Sequence, residues 1–322
     1  MHIDNYNDTI NACRFCFMCR HLSAVGNVTF RESDTPRGRA LLTGKMQREM
    51  KDLHPDYIDT FYRAELSAAN RFHCVSHYDE AGLIIAARRD IVEAGLAPEN
   101  VKNLAAELMK AEFTVEGSGS TLYYVDLYSD KANAPKDCKI ISGGDTGRAL
   151  EVLGFVKEAE TVWSKFQSAV RASGCRTVVT SCPAGYDMMK KRLDGVKVLH
   201  SSEFIEGKPG SGTVYYLDSD YLKNYNGNMN APRELLKKLG YELKPFGTNT
   251  EESYSAGEGA VVYDRLYPEL AAKLCGRIAG LVDNPAGDVL VTASPYTRFV
   301  LNKYAPQIKV LLLDEVAVKG IK

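Results

Sequence analysis

Val178-Val179-Thr180-Ser181-Cys182-Pro183 returns 112 residues later as Leu290-Val291-Thr292-Ala293-Ser294-Pro295. Each copy is a short β-branched run, suited to a buried strand, followed by a small residue and a proline of the kind that opens a helix. A strand that feeds straight into a helix is half of a βαβ unit, so the repeat predicts two related α/β units. The pairing extends outward from this pair. Val198-Leu199 to Glu203 matches Val310-Leu311 to Glu315 at the same offset, Thr121 to Asp126 (TLYYVD) matches Thr213 to Asp218 (TVYYLD), and Ser142-Gly143-Gly144 pairs with Ser255-Ala256-Gly257. The first unit is shorter by about twenty residues between its first strand and the glycine turn, where the second carries a helix over Pro232 to Leu239. Gly207-Lys208-Pro209-Gly210-Ser211-Gly212 precedes a strand, whereas a phosphate cradle follows one, so it reads as the linker between repeats. The duplicated turns are expected to face a common side.

Upstream the texture is helical. Glu80 to Glu93 places Leu83, Ile84, Ala87, Ile91 and Val92 on one side, Gly95 stops it, and Pro98-Glu99 opens a second helix holding Leu104, Leu108 and Met109. Gly117-Ser118-Gly119-Ser120 then marks a linker. Beyond it, strands at Leu122–Val125, Thr177–Thr180, Val196–Leu199, Val214–Leu217, Val289–Thr292 and Val310–Leu313 alternate with helices such as Glu158 to Ser173 and Tyr267 to Val282. The chain of 322 residues therefore divides into a helical domain at 1–116 and an α/β domain at 121–322, with repeats at about 121–206 and 213–322. Forty basic against 41 acidic residues, with 45% apolar content, exclude disorder and argue against nonspecific nucleic-acid binding. No stretch has the apolar length that crosses a bilayer, and Met1 to Ile10 is too polar for a secretory signal. The expectation is a soluble cytoplasmic protein.

Such a compartment is reducing, so the eight cysteines point to metal, redox chemistry or burial rather than disulfides. Cys13-x2-Cys16-x2-Cys19 is the informative cluster. Two residues between thiolates let one turn of backbone wrap three corners of a cubane, whereas zinc sites usually bring cysteines in separated pairs. A ferredoxin run would continue x3-Cys-Pro, but Ser23-Ala24 stands there. Ala64-x2-Ser67-x2-Asn70-x3-Cys74 keeps the same spacing with three of four ligands replaced. In two-cluster ferredoxins the fourth cysteine of each run ligates the other cluster. Cys13, Cys16, Cys19 and Cys74 then make one complete [4Fe–4S] set, and Ser23, Ala64, Ser67 and Asn70 are the four positions of a lost set, a vacant cluster site. Two alternatives stay open: Cys74 as a small buried hydrophobe, and a mixed Cys/His zinc site using His21, His73 and His77.

Residues 13–42, with Pro36-Arg37-Gly38-Arg39 after the cysteine run, resemble the opening of the iron–sulfur subunits that accompany flavin dehydrogenases. The glycolate oxidase iron–sulfur subunit and the anaerobic glycerol-3-phosphate dehydrogenase C subunit are of this type. The C-terminal duplication resembles the cysteine-rich CCG domain pair of the heterodisulfide reductases. The resemblance covers nearly the whole chain and implies a helical two-cluster-ferredoxin-like domain followed by a duplicated CCG-type α/β domain. The departures are equally specific. Cys-Cys-Gly is replaced by Ser142-Gly143-Gly144 and Ser255-Ala256-Gly257, Cys-Pro-x-Cys by Cys182-Pro183-Ala184-Gly185 and Ser294-Pro295-Tyr296-Thr297, and Asp-Pro-Cys by Asp218-Ser219-Asp220. Serine and glycine turns cannot hold the family's second metal centre. Cys182 is the remnant of those turns, Cys138 and Cys175 lie elsewhere in the same unit, and Cys275 sits on an apolar helix face and reads as core.

The expectation is thus an electron-transfer subunit with one [4Fe–4S] cluster on Cys13, Cys16, Cys19 and Cys74. Its partner would be a flavin-containing dehydrogenase subunit or another iron–sulfur protein, through which it could sit peripherally at a membrane. No residues form an acid–base or nucleophile set, so no catalytic residue is assigned. The competing expectations are a heterodisulfide reductase-like enzyme that uses Cys182, and a noncatalytic assembly or sensor protein with a structural cluster. The segment 13–51 carries Arg14, Arg20, Arg31, Arg37, Arg39, Lys45, Arg48 and Lys51 against Glu32, Asp34 and Glu49, a local excess that reads either as a docking face for the anionic cluster or as a solvated surface.

Overall fold

The computed structural model describes residues 1–48, 54–247, 250, 252 and 254–321. Glu49 and Lys51 of the basic segment lie outside the described residues.

The α/β region contains two separate, mostly parallel sheets. Strands β1 (Thr114–Glu116), β2 (Thr121–Val125), β3 (Cys138–Ser142), β4 (Thr177–Thr180) and β5 (Lys197–His200) form the first, in the order β1-β3-β2-β4-β5. Strands β6 (Gly212–Leu217), β7 (Tyr241–Lys244), β8 (Val289–Thr292) and β9 (Lys309–Leu312) form the second, in the order β7-β6-β8-β9. With β1 set aside, the two orders are the same: the first strand of each unit lies between the second and third, and the fourth lies outside the third. All these pairings are parallel, and only β1 runs antiparallel, against β3. The chain therefore enters the first sheet before the Gly117–Ser120 run.

The repeated strand–proline motif marks equivalent points in the two units. β4 runs into the helix Pro183–Arg192 and β8 into Pro295–Tyr304, each with proline in the first turn. Cys182 Sγ and Ser294 Oγ accept hydrogen bonds from Gly185 N and Thr297 N, so both side chains cap helix N-termini. In the second unit the helix Asn230–Lys238 fills the interval before β7, where the first unit has a single 3₁₀ turn at Lys131–Asn133.

The N-terminal region is built from short helices, with Glu80–Glu93 at its centre and Leu83, Ile84, Ala87 and Ile91 fully buried on it. Arg88, on the same helix, is buried without a carboxylate partner. Its guanidinium instead donates to the carbonyls of Phe61, Tyr62, Ala64 and Val152, tying the helical region to the first repeat. The second repeat docks through Tyr225 Oη and Asn224 Nδ2, which donate to the carbonyls of Leu66 and Ser67 at 2.6 and 2.7 Å. A Cβ on Gly259 would stand 2.0 Å from the Leu66 carbonyl oxygen, so this approach requires glycine. Among the described residues, no helix is long and apolar enough to cross a membrane.

Candidate functional site

The thiols of Cys13, Cys16, Cys19 and Cys74 line one pocket, together with Arg14, Met18, Pro36, Arg37, Asn70, Val75, Ser76 and Tyr78. Cys13 closes the helix Asn7–Ala12, and the chain then turns back through Phe15, whose φ of +51° is unusual for a residue with a Cβ. That turn points Cys13 and Cys16 into the same space. Phe15 N lies 3.5 Å from Cys13 Sγ, and Arg37 Nε, at the start of the helix Pro36–Arg48, donates to the Phe15 carbonyl at 2.7 Å. Cys74 follows the 3₁₀ turn Ala69–Phe72, its N donating to the Asn70 carbonyl at 3.0 Å, and Ser76 Oγ anchors the segment to the Ala12 carbonyl at 2.7 Å. Cys16 is exposed, and the other three are partly buried.

Burial pushes the Cys19 thiol up to about 12, with the Glu80 carboxylate adding to it, and burial likewise raises Cys13. A set of thiols held together in this way ionises only if a cation compensates the charge. Tetrahedral zinc, with Zn–S near 2.3 Å, would draw sulfurs to about 3.8 Å of one another. Among the described residues, however, the three metal-capable side chains whose ligand atoms all lie within 4.8 Å are His2, Asp90 and Glu93, not these thiols. None of His21, His73 and His77 lines the pocket. His21 stands edge-on to His73 at 5.6 Å between ring centroids and 3.5 Å from a Glu252 carboxylate oxygen.

The four positions of the lost set are buried, and other side chains occupy the space among them. Glu65 Oε1 accepts from Ala24 N and Ser67 Oγ, each at 3.3 Å. Ser23 caps the helix Ala24–Thr29 and donates to the Asp34 carbonyl at 2.8 Å. Asn70 Nδ2 donates to the Tyr78 carbonyl at 3.0 Å. Arg39, fully buried, is paired with Glu80, and Glu65 and Asp34 add to the negative field on its guanidinium. A buried ionic network of Arg39, Glu80 and Glu65 thus accompanies these positions, and the basic segment is less cationic at its surface than its count suggested. Arg39 points inward, while Arg37 and Arg20 share the Glu32 carboxylate, at 2.6 and 3.6 Å.

A second constellation lies where the strands of the two sheets end, at a pocket lined by Asp126, Tyr128, Cys182, Glu258, Ser294 and Tyr296 among others. The two strand–proline turns, Cys182-Pro183 and Ser294-Pro295, line it together, and the chemistry around them is that of acids and hydroxyls. Glu258 accepts from Ser219 Oγ and Asp220 N at 2.8 and 2.6 Å, and Asp220 accepts from Ser255 Oγ and Gly259 N at 2.5 and 3.2 Å. Burial raises both carboxyls, and each is raised further by a neighbouring carboxylate: Asp126 for Glu258, and Glu258 for Asp220. Cys182 is buried beside the Asp126 carboxylate, and both burial and that negative charge hold it as a neutral thiol despite its N-capping position. Cys138, Cys175 and Cys275 lie outside this pocket, and Cys275 is fully buried on the helix Pro268–Ala279.

The glycine turns are also sterically committed. A Cβ on Gly143, where the resembled family has a cysteine, would lie 1.9 Å from the Glu112 carbonyl oxygen. Sequence reasoning missed Asp126, Glu258 and Asp220 as members of one site. Two of them carried a signal, since Asp126 closes TLYYVD and the Asp218-Ser219-Asp220 turn follows TVYYLD.

Fold and site together define a mixed α/β protein with two parallel-stranded units and an N-terminal four-cysteine pocket. No protein-family model matches the chain, and no curated protein matches it. Among solved structures it is similar to a hypothetical protein from Helicobacter pylori, at 10% sequence identity and a TM-score of 0.59, over 98% of this chain and 75% of that one. A likeness at that identity concerns the fold alone.

Proposed function

We propose that the chain is a one-electron carrier that holds a single [4Fe–4S] cluster on Cys13, Cys16, Cys19 and Cys74. Bound there, the cluster would supply reversible one-electron transfer, and the substrate chemistry would belong to a flavin-containing or iron–sulfur partner. The observation that carries this reading is the arrival of Cys74 at the pocket of Cys13, Cys16 and Cys19 from a separate segment, as the ferredoxin spacing requires. The residues around it fit an anionic group. Phe15 N faces Cys13 Sγ, and Arg37 stands close enough to Cys13 to favour its thiolate. Cys16, the exposed ligand, gives an electron the shortest route to the surface. The N-terminal helical region would correspond to a two-cluster ferredoxin-like domain with one site lost, and the α/β region to a CCG-type pair used as a scaffold. The enzyme alternative through Cys182 is disfavoured by a thiol that is buried beside Asp126 and held neutral.

Anaerobic purification with iron, acid-labile sulfide and zinc counting, followed by EPR of the reduced protein, tests the proposal. The expected result is about four irons per chain and one reduced-cubane signal. About one zinc, or about eight irons, would overturn it.

A further inference from the structure

We propose that the surface around Cys16 is the docking face for an acidic electron-transfer protein, an inference that rests on the cluster reading above. The residues flanking the ligands are apolar and turned outward: Phe17 is 64% exposed, Met18 47% and Val75 75%. Exposed apolar side chains grouped beside one functional site mark an interaction surface. Phe17 follows Cys16, Met18 precedes Cys19 and Val75 follows Cys74, and Met18 and Val75 line the thiol pocket itself.

The rim is cationic. Arg14 lines the pocket, is exposed, and has no ion-pair partner among the described residues. Arg20 is more than half exposed, and the Arg37 guanidinium lies 4.8 Å from the Phe17 ring centre, which holds the aromatic in place. Among the described residues Glu32 is the one carboxylate in ion-pair contact with these arginines, and it already serves two of them. An apolar centre containing Phe and Met inside an arginine rim matches the anatomy of a protein interface, and its charge selects a partner with an apolar patch ringed by carboxylates. A second copy of this chain fits poorly, because isologous pairing would set the same arginines against one another. The small patch suits a short-lived encounter rather than a permanent complex.

The test is anaerobic stopped-flow electron exchange between the iron-loaded protein and an acidic plant-type [2Fe–2S] ferredoxin, run in the direction that the two potentials favour. Methyl viologen serves as the small cationic control. Replacing Arg20, which does not line the thiol pocket (R20Q), should lower the second-order rate with ferredoxin several-fold at low salt, and the difference should disappear at high salt. The rate with methyl viologen should not fall, and iron content should stay at the wild-type value. R20E, which reverses a charge without touching a ligand, should slow the ferredoxin reaction by a similar factor. Equal ferredoxin rates in wild type and both variants, at equal iron content, would overturn the docking face while leaving the cluster reading intact. A ferredoxin-insensitive wild type that sediments as a dimer through this face would also overturn it, in favour of self-association. A wild type without iron would fail the cluster reading instead, and the iron count separates the two failures.

Discussion

Asp314 bridges the two repeats, and its environment predicts a measurable dependence of stability on pH. It follows β9 in the second unit and is buried, with Tyr123 Oη of β2 donating to Oδ2 at 2.9 Å and Ser201 Oγ donating to Oδ1 at 2.7 Å. Burial raises its carboxyl from 3.8 to about 6, outweighing the two hydrogen bonds that favour the charged form. The folded protein thus holds this proton more tightly than the unfolded chain. The contribution is complete below the unfolded value near 3.8 and is lost as pH rises to about 6. A shift of about two units at 1.36 kcal/mol each makes it roughly 3 kcal/mol. Asp145 is raised in the same direction, so the wild-type curve alone would mix several groups. Asp314→Asn isolates the term, because the amide can accept one hydroxyl proton and donate to the other oxygen without ever ionising. Urea denaturation followed by circular dichroism, at intervals from about pH 3.5 to 7, gives the difference between the two proteins. D314N should gain on wild type by about 3 kcal/mol across that range, with the change concentrated between pH 4 and 6 and no change in the denaturant slope. A difference that stays constant with pH would refute the assignment of a buried, proton-holding Asp314.

Other outcomes follow from the same structure. Cys74→Ala should lose or convert the cluster, read as iron per chain and as a changed EPR signal, whereas Ser23→Ala should keep the iron and cost about 1 kcal/mol in denaturant through the lost helix cap. Arg88→Met should destabilise by about 3 kcal/mol or more, because it strands the buried carbonyls of Phe61, Tyr62, Ala64 and Val152; a change below 1 kcal/mol in a denaturant midpoint series would contradict the bonding described. Gly143→Ala combines a φ of +131° with a Cβ 1.9 Å from the Glu112 carbonyl oxygen, and should lower the melting temperature markedly more than Gly174→Ala, whose Cβ meets nothing within 4 Å at its own positive φ.

Much of the α/β region was legible because its strands are nearly continuous runs of β-branched and aromatic residues, and because the sequence repeats itself. β4 and β8 fall where the runs placed them. The strands that escaped notice are those with little apolar signal. β1 is exposed along its whole length, β3 is mostly half-buried, and β7 has a single buried residue. The last strand reading ran one residue too far, since Leu313 begins the helix Leu313–Lys319. Edge position removes from β1 and β7 the pattern that buried strands leave in a sequence, whereas β3 lies between β1 and β2 and reads weakly because most of its side chains are only half-buried.

The sequence by itself determined the spacing of the four cysteines and the duplication, because both are relations between positions along one chain. Only the tertiary structure decided what surrounds them. Ionisable residues look alike in sequence whether they face water or lie in a core, since their free energy depends on solvation and on partners brought from distant segments. Arg39 counted as surface charge until the fold buried it against Glu80, with Glu65 close by. Asp126 and Glu258 counted as ordinary acids until two sheets carried them to one pocket, with Asp220 bonded to Glu258 beside it. Cys182 kept the motif position of a reactive thiol, and burial, with the Asp126 carboxylate beside it, is what leaves it neutral.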